Sequence, residues 1–138
     1  LNEVYHHIGK LPTQVVSFDE CFLVLKKKSG LRFSKDIKGF HLYGTDICLI
    51  AQSLGYKSYV INFHLRHLGE GSMDDNYFYS HRCFEQKWSR IMRDKHIVTS
   101  GAPIFLSGRI EPTLVKRIRA WPIRKIRKIR RRLANGPY

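Results

Sequence analysis

The chain has few cysteines, few acidic residues and no long apolar run, and each shortage excludes a class of protein. Its 138 residues include only three cysteines, Cys21, Cys48 and Cys83. Because they are widely spaced and odd in number, with no Cys-x-x-Cys pair, a disulfide framework is not expected. Each lies in an apolar pattern, which favours buried free thiols in a reducing compartment. No apolar run approaches the ~20 residues that a membrane-spanning helix needs.

Acidic residues are scarce, and their distribution divides the chain in two. The sequence has 25 Lys and Arg against 11 Asp and Glu, which gives a formal net charge of +14. Ten of the basic residues and none of the acidic residues lie within 113–138. The remaining 1–112 segment carries 15 basic and 11 acidic residues and is only mildly basic, at +4. The charge therefore predicts that an anionic partner binds mainly to the C-terminal segment.

The length and the hydrophobic content fit a small globular unit. At 138 residues and 43% hydrophobic residues, the chain can form one domain or part of one. It begins at Leu1 with neither Met nor a secretory leader, which predicts a fragment or a processed segment. We expect a domain over 1–111 and a separate basic tail over 112–138.

The segment 39–55 carries the pattern with the most chemical content. A loop with His41 and Tyr43 leads into Asp46, and apolar residues then recur at helical spacing up to Gly55. Thr45 is the predicted N-cap, so Asp46 would lie in the first helical turn, where the helix dipole favours a carboxylate. A carboxylate beside His41 and Tyr43 could act as a general base. The alternative, that Asp46 only supports the start of the helix, has about equal weight.

Further elements follow from hydrophobic periodicity and predict an α/β fold. The apolar run 21–25 predicts a strand buried on both faces, and 57–63 predicts a second strand after a glycine turn. The segment 74–92 predicts a helix whose aromatic stripe includes Trp88, a stripe more often found in a core than in a binding surface. Ile104–Leu106 is either a short strand or an apolar anchor. The helix, turn and strand over 46–63 are typical of layered α/β folds.

Two histidines follow the second predicted strand. Ligands of open α/β sheets bind beyond the carboxyl ends of strands, which is where His64 and His67 would lie. An imidazole is an acceptable ligand for a divalent cation, so a metal-binding role is one interpretation of these histidines. A hydrogen-bonded structural histidine is the alternative for both residues. The His-x-x-His spacing is a weak zinc signal, because no second pair lies at metal-ligand spacing.

The C-terminal segment predicts a basic amphipathic helix. Isoleucines at 123, 126 and 129 and Leu133 form an apolar stripe, and Lys and Arg fill the gaps between them. Such a helix is typical of a membrane interface with anionic lipids. Nucleic-acid binding and a plain solvated helix are the alternatives. The predicted membrane-binding residues are Trp121, Arg124, Lys125, Arg127, Lys128, Arg130 and Arg131.

The order of motifs over residues 12–92 resembles a known enzyme family. Gly-Leu-Arg-Phe at 30–33, Gly-Phe-His-Leu-Tyr-Gly-Thr-Asp at 39–46 and His-Leu-Gly-Glu-Gly-Ser at 67–72 resemble the C-terminal half of family-2-like glycosyltransferases of the GT-A fold. The resemblance is to the bacterial type that builds surface polysaccharides. It implies a partial GT-A-like α/β fold, the acceptor-side half with few strands and packed helices. The nucleotide-binding half would precede residue 1.

The resemblance also implies roles for particular residues. Asp46 would be the catalytic base, His41, Tyr43 and Trp88 would bind the acceptor, and His67 or His64 would bind the metal. A complete enzyme would use a divalent metal, Mn²⁺ or Mg²⁺, with a nucleotide-sugar donor and a sugar acceptor as partners. The Asp-x-Asp motif of donor binding does not occur in this sequence, so the chain alone is expected to be catalytically incomplete.

The sequence also predicts a cellular location and leaves a second function open. The basic tail implies a cytoplasmic protein, peripheral at the inner face of the membrane. The rival function is a non-catalytic basic module that binds anionic membrane, or less readily nucleic acid, through 113–138.

Overall fold

The computed structural model describes residues 10–63, 65, 73–92 and 94–106, and these form a mixed α/β structure. This part of the chain has two α-helices and two small antiparallel sheets. The first sheet pairs β1 with β2, so that Thr13 lies opposite Val60. The second pairs β3 with β4, so that Lys95 lies opposite Leu106. In chain order the elements are β1 (Thr13–Val15), α1 (Tyr43–Ser53), β2 (Ser58–Val60), α2 (Asp75–Trp88), β3 (Lys95–Ile97) and β4 (Ile104–Leu106).

Helix α1 begins two residues before the predicted N-cap, Thr45. Its N-cap is Leu42, which has a left-handed backbone conformation (φ 67°). The side chain of Leu42 forms no capping hydrogen bond. The carboxylate of Glu20 replaces the local cap, because its Oε1 accepts the backbone N–H of Gly44 at 3.2 Å. A distant side chain therefore satisfies one of the free N–H groups at the helix start. The prediction that Asp46 lies in the first turn is confirmed.

Helix α2 begins one residue after the predicted start and ends four residues before the predicted end. Asp74 is its N-cap, and the Oδ1 atom of Asp74 accepts the backbone N–H of Tyr77 at 3.0 Å. This is the bond that an N-cap carboxylate forms with the third residue of a helix. The core lies where the two helices meet the second sheet. It contains Ile37, Leu42, Leu49, Phe84, Trp88, Ile97, Ile104 and Leu106.

The prediction of a strand over 21–25 is wrong. This segment has no regular secondary structure, and the side chains of Phe22 and Val24 are exposed, whereas Leu23 and Leu25 are half-buried. The alternation shows that only one side of this segment packs against the rest of the domain. Cys21 is exposed as well, contrary to the expectation of a buried thiol, while Cys48 is buried and Cys83 is partly buried.

The other strand predictions are partly confirmed. The strand expected over 57–63 is present as β2 but spans only three residues, and its partner β1 was not predicted. Ile104–Leu106 is a strand, and it pairs with the unpredicted β3. Within the described ranges, no helix combines the length and the apolar character that crossing a membrane requires.

Candidate functional site

Asp46 lies at the centre of a buried polar cluster between the two helices. Its side chain is 0% exposed, and Oδ1 accepts hydrogen bonds from Lys87 Nζ and from Trp88 Nε1, each at 2.7 Å. Lys87 also donates to Ser34 Oγ, and its Nζ lies 4.9 Å from the centre of the Trp88 ring. Oδ1 of Asp46 therefore connects the two helices, and Lys87 extends the cluster to the loop at Ser34.

The electrostatics of this cluster depend on the ion pair. A carboxylate removed from water is costly unless a cation and hydrogen bonds compensate its charge. Lys87 provides the cation, and because its side chain is 18% exposed, it keeps a path to solvent. The second oxygen, Oδ2, is buried and accepts no hydrogen bond from any residue in the described part of the chain.

The geometry bears directly on what Asp46 can do. A general base must reach the proton that it removes, directly or through one water. Here Oδ1 already accepts two donors, and both oxygens lie inside the protein. The carboxylate links the two helices in this arrangement, and a base role for it stays a prediction. Trp88, expected to bind an acceptor, is only 2% exposed, so its ring belongs to the core and presents no open face.

His41 and Tyr43 lie together at the N-terminal end of α1. The Tyr43 hydroxyl donates to the backbone carbonyl of Glu20 at 3.1 Å. His41 Nε2 lies 4.0 Å from Asp74 Oδ1, and its ring contacts Tyr77 edge-on at 5.5 Å between centroids. Phe40 contacts both His41 and Tyr43. The structure thus brings His41 and Tyr43 into one half-buried aromatic group, whereas the Asp46 carboxylate lies in the helix interface.

Several predicted sites lie outside the described residues. His64 and His67, the proposed metal ligands, and the membrane-binding set of the tail (Trp121, Arg124, Lys125, Arg127, Lys128, Arg130 and Arg131) are among them. Within the described residues, no group of three or more His, Cys, Asp or Glu side chains is arranged to hold a metal ion. The divalent metal, the tail interface and the boundary between 1–111 and 112–138 stay predictions.

Two important residues of this region were not found from the sequence. Lys87 was given no role in the predicted site, yet it forms the ion pair with Asp46 from 41 positions away. Glu20 was not singled out, although burial raises the pKa of its carboxyl group to about 7. The Asp19 charge also raises this pKa, and the hydrogen bond from Gly44 N–H lowers it. No local spacing could have indicated either contact, because both join distant segments.

Comparison with known proteins finds a relative that is similar to part of this chain. No family model matches the chain. A protein of Fuscovulum blasticum named "ATP synthase subunits region ORF 6" is 42% identical to it over 82 residues. The matched region covers 59% of this chain and 33% of that protein. The chain thus spans about a third of the length of the curated relative.

This comparison overturns the glycosyltransferase interpretation. The relative carries the name of an ATP synthase region, not that of a sugar transferase, and no family model supports the resemblance. The predicted family, the nucleotide-sugar and acceptor partners, and the role in polysaccharide synthesis are therefore wrong. The Gly, Ser, Thr and Asp residues of the quoted motifs are also favoured in turns and at helix starts for local structural reasons.

Proposed function

We propose that this chain is part of an accessory protein that works with the ATP synthase, and that the described domain is a binding module. The observation that carries the proposal is the 42% identity to a protein whose name links its reading frame to the ATP synthase subunits. We also propose a cytoplasmic position, peripheral at the inner face of the membrane, because the C-terminal segment carries ten basic residues and no acidic residue.

The described geometry supports binding through a preformed surface. The Asp46–Lys87 ion pair and the Trp88 hydrogen bond tie the two helices together in the interior. Away from this interior contact, aromatic side chains such as Phe105 on β4 are exposed. A rigid scaffold lowers the entropy that must be lost on association, so its exposed groups can contribute more fully to affinity.

The experiment is affinity purification of the tagged full-length protein from its own cells after mild cross-linking. We expect ATP synthase subunits to be enriched about tenfold over a purification with an unrelated basic protein of matched charge, a difference of about 1.4 kcal/mol in apparent affinity. The matched control separates specific association from the non-specific attraction of a cationic chain. Equal recovery in both purifications, together with unchanged ATP synthase assembly after deletion of the gene, would overturn the proposal.

A further inference from the structure

We propose that the segment 22–40 forms a docking surface for an anionic lipid bilayer. We call this surface the aromatic–basic face. Its apolar members are Phe22, Val24, Phe33 and Phe40, and its basic members are Lys26, Lys27, Lys28, Arg32, Lys35 and Lys38, all of them exposed. The inference concerns the body of the domain and does not depend on the C-terminal tail or on the ATP synthase proposal.

The apolar members are unusually open to solvent. Val24 is 77% exposed and Phe40 is 70% exposed, and about half of the surface of Phe22 and of Phe33 is accessible. Removing apolar surface from water is favourable, so the transfer of each of these side chains into the hydrocarbon boundary of a bilayer favours binding. Exposed apolar side chains that cluster and are bordered by polar groups mark interaction sites.

The aromatic members are connected through Tyr43. Its ring contacts Phe33 at 5.5 Å and Phe40 at 5.8 Å between centroids, both edge-on. Its hydroxyl donates to the carbonyl of Glu20, which lies two residues before Phe22. Phe22 in turn stacks on Phe63 at 5.3 Å. These contacts place Phe33 and Phe40 beside the first residue of α1, and they tie the residues just before Phe22 to the same place.

The charge of the segment complements an anionic surface. Six Lys and Arg residues and one acidic residue, Asp36, give residues 22–40 a net charge of +5. Each basic residue near an anionic leaflet adds to the electrostatic attraction between the protein and the membrane. Three of them, Lys26, Lys27 and Lys28, lie at a turn that ends at Gly30, where an added Cβ would meet no atom within 4 Å. The side chains of all three lysines are exposed.

Residues of the segment 22–40 also contact the core and α2. Ile37 inserts into the core, and the carbonyl of Lys38 accepts a hydrogen bond from Ser80 Oγ at 2.8 Å. Ser34 accepts a hydrogen bond from Lys87, which extends the buried Asp46 cluster to the inner side of the same segment. The face is thus preformed, and little conformational entropy needs to be lost when it binds.

A bilayer fits this face better than a nucleic acid does. Single-stranded nucleic acids are bound largely through the stacking of bases on aromatic rings. Val24, the most exposed apolar member, is aliphatic and has no ring to offer a base. Apolar side chains that enter the acyl boundary, bordered by lysines, are the combination that peripheral membrane proteins use.

The test is co-sedimentation of the full-length protein with vesicles that contain about one third phosphatidylglycerol in phosphatidylcholine, compared with pure phosphatidylcholine. We expect the combined substitution Phe22→Ser, Val24→Ser and Phe40→Ser to weaken binding to the anionic vesicles about tenfold or more. The matched control is Tyr79→Ser with Ile91→Ser, which removes apolar side chains that are also more than half exposed, on and just after α2. Equal binding by the two variants would overturn the proposal.

A local measurement keeps the test independent of the basic tail. Cys21 is exposed beside Phe22, whereas Cys48 is buried, so with Cys83→Ala an environment-sensitive fluorophore can be attached at Cys21. We expect its emission to rise and shift to the blue on anionic vesicles and to resist quenching by iodide in the aqueous phase. A fluorophore that stays fully accessible to iodide while the protein sediments with vesicles would contradict the proposal. So would a blue shift produced by RNA but not by vesicles.

Discussion

The interface between α1 and α2 and the aromatic–basic face place charge and apolar surface in opposite ways. In the interface, the Asp46 carboxylate lies inside the protein with two donors on one oxygen. On the face, Phe40 and Val24 lie in solvent beside lysines. Buried charge needs its partners for the fold to be stable, whereas exposed apolar surface contributes little to folding and is available for binding. Stability and the proposed membrane binding therefore depend on different residues, and the hydrogen bond from Lys87 to Ser34 is one of the contacts that connect the two regions.

The largest effect should come from breaking the buried ion pair. Lys87→Met removes the cation and leaves the Asp46 charge uncompensated, so we expect the free energy of unfolding to fall by about 3 kcal/mol or more. Urea denaturation followed by circular dichroism measures this loss. The double variant Asp46→Leu with Lys87→Met should recover much of the stability, because it removes both charges. A loss below about 1 kcal/mol in the single variant would show that the pair behaves like an exposed one.

The indole hydrogen bond should contribute next. Trp88→Phe keeps an aromatic ring in the core but removes the N–H that Asp46 accepts, and a hydrogen bond to a charged group contributes about 1.5–3 kcal/mol. We expect a loss of about 2 kcal/mol in urea denaturation. Because the two donors share Oδ1, combining Trp88→Phe with Lys87→Met should be non-additive. Strict additivity would argue that the two contacts act independently.

A third effect should arise where the chain crosses the start of α1. A Cβ at Gly44 would lie 2.9 Å from the carbonyl oxygen of Phe18, which is backbone and cannot rotate away. We expect Gly44→Ala to cost about 1–3 kcal/mol, the usual range for overpacking. Gly30→Ala is a useful reference, because its Cβ would meet no atom and only its left-handed backbone (φ 67°) opposes the change. Thermal unfolding that ranks Gly30→Ala as the more damaging of the two would contradict this explanation.

The Glu20 carboxyl group should make stability depend on pH. Burial raises its pKa from 4.5 to about 7 in the folded chain, so the folded state binds more protons than the unfolded state between these values. The protonated group therefore contributes its full stability below about pH 4.5, and this contribution is lost as the pH rises through 7. Urea midpoints measured from pH 4 to 8 should fall across that window. Glu20→Gln should flatten the fall, and an unchanged slope would exclude Glu20 as its source.

The smallest effect on folding should come from the aromatic–basic face. Phe40→Ser removes an apolar side chain that is 70% exposed, and such surface substitutions usually change stability by less than about 0.5 kcal/mol. The thermal midpoint should therefore hardly move, although vesicle binding weakens. A stability loss comparable to that of Trp88→Phe would mean that the face belongs to the core, and the contrast between the two regions would disappear.

Local patterns predicted the helices better than the strands. The helical spacing after Asp46 and the aromatic stripe ending at Trp88 identified both helices, because helix formation depends on contacts within a few residues. The apolar run 21–25 was assigned to a strand, since a short apolar run has the same composition whether it pairs or only covers a surface. The sequence could not show which, because pairing depends on a partner far along the chain.

The sequence by itself determined the two helices, the position of Asp46 in the first turn of α1, and the concentration of basic residues in the C-terminal segment. These features depend on neighbouring residues and on counting. Only the tertiary structure decided that Lys87 neutralises Asp46, that Glu20 caps α1 through Gly44, and that Phe22 and Phe40 remain outside. The physical reason is that burial and ion pairing arise between segments separated by more than 20 residues, and no local spacing specifies which of them meet.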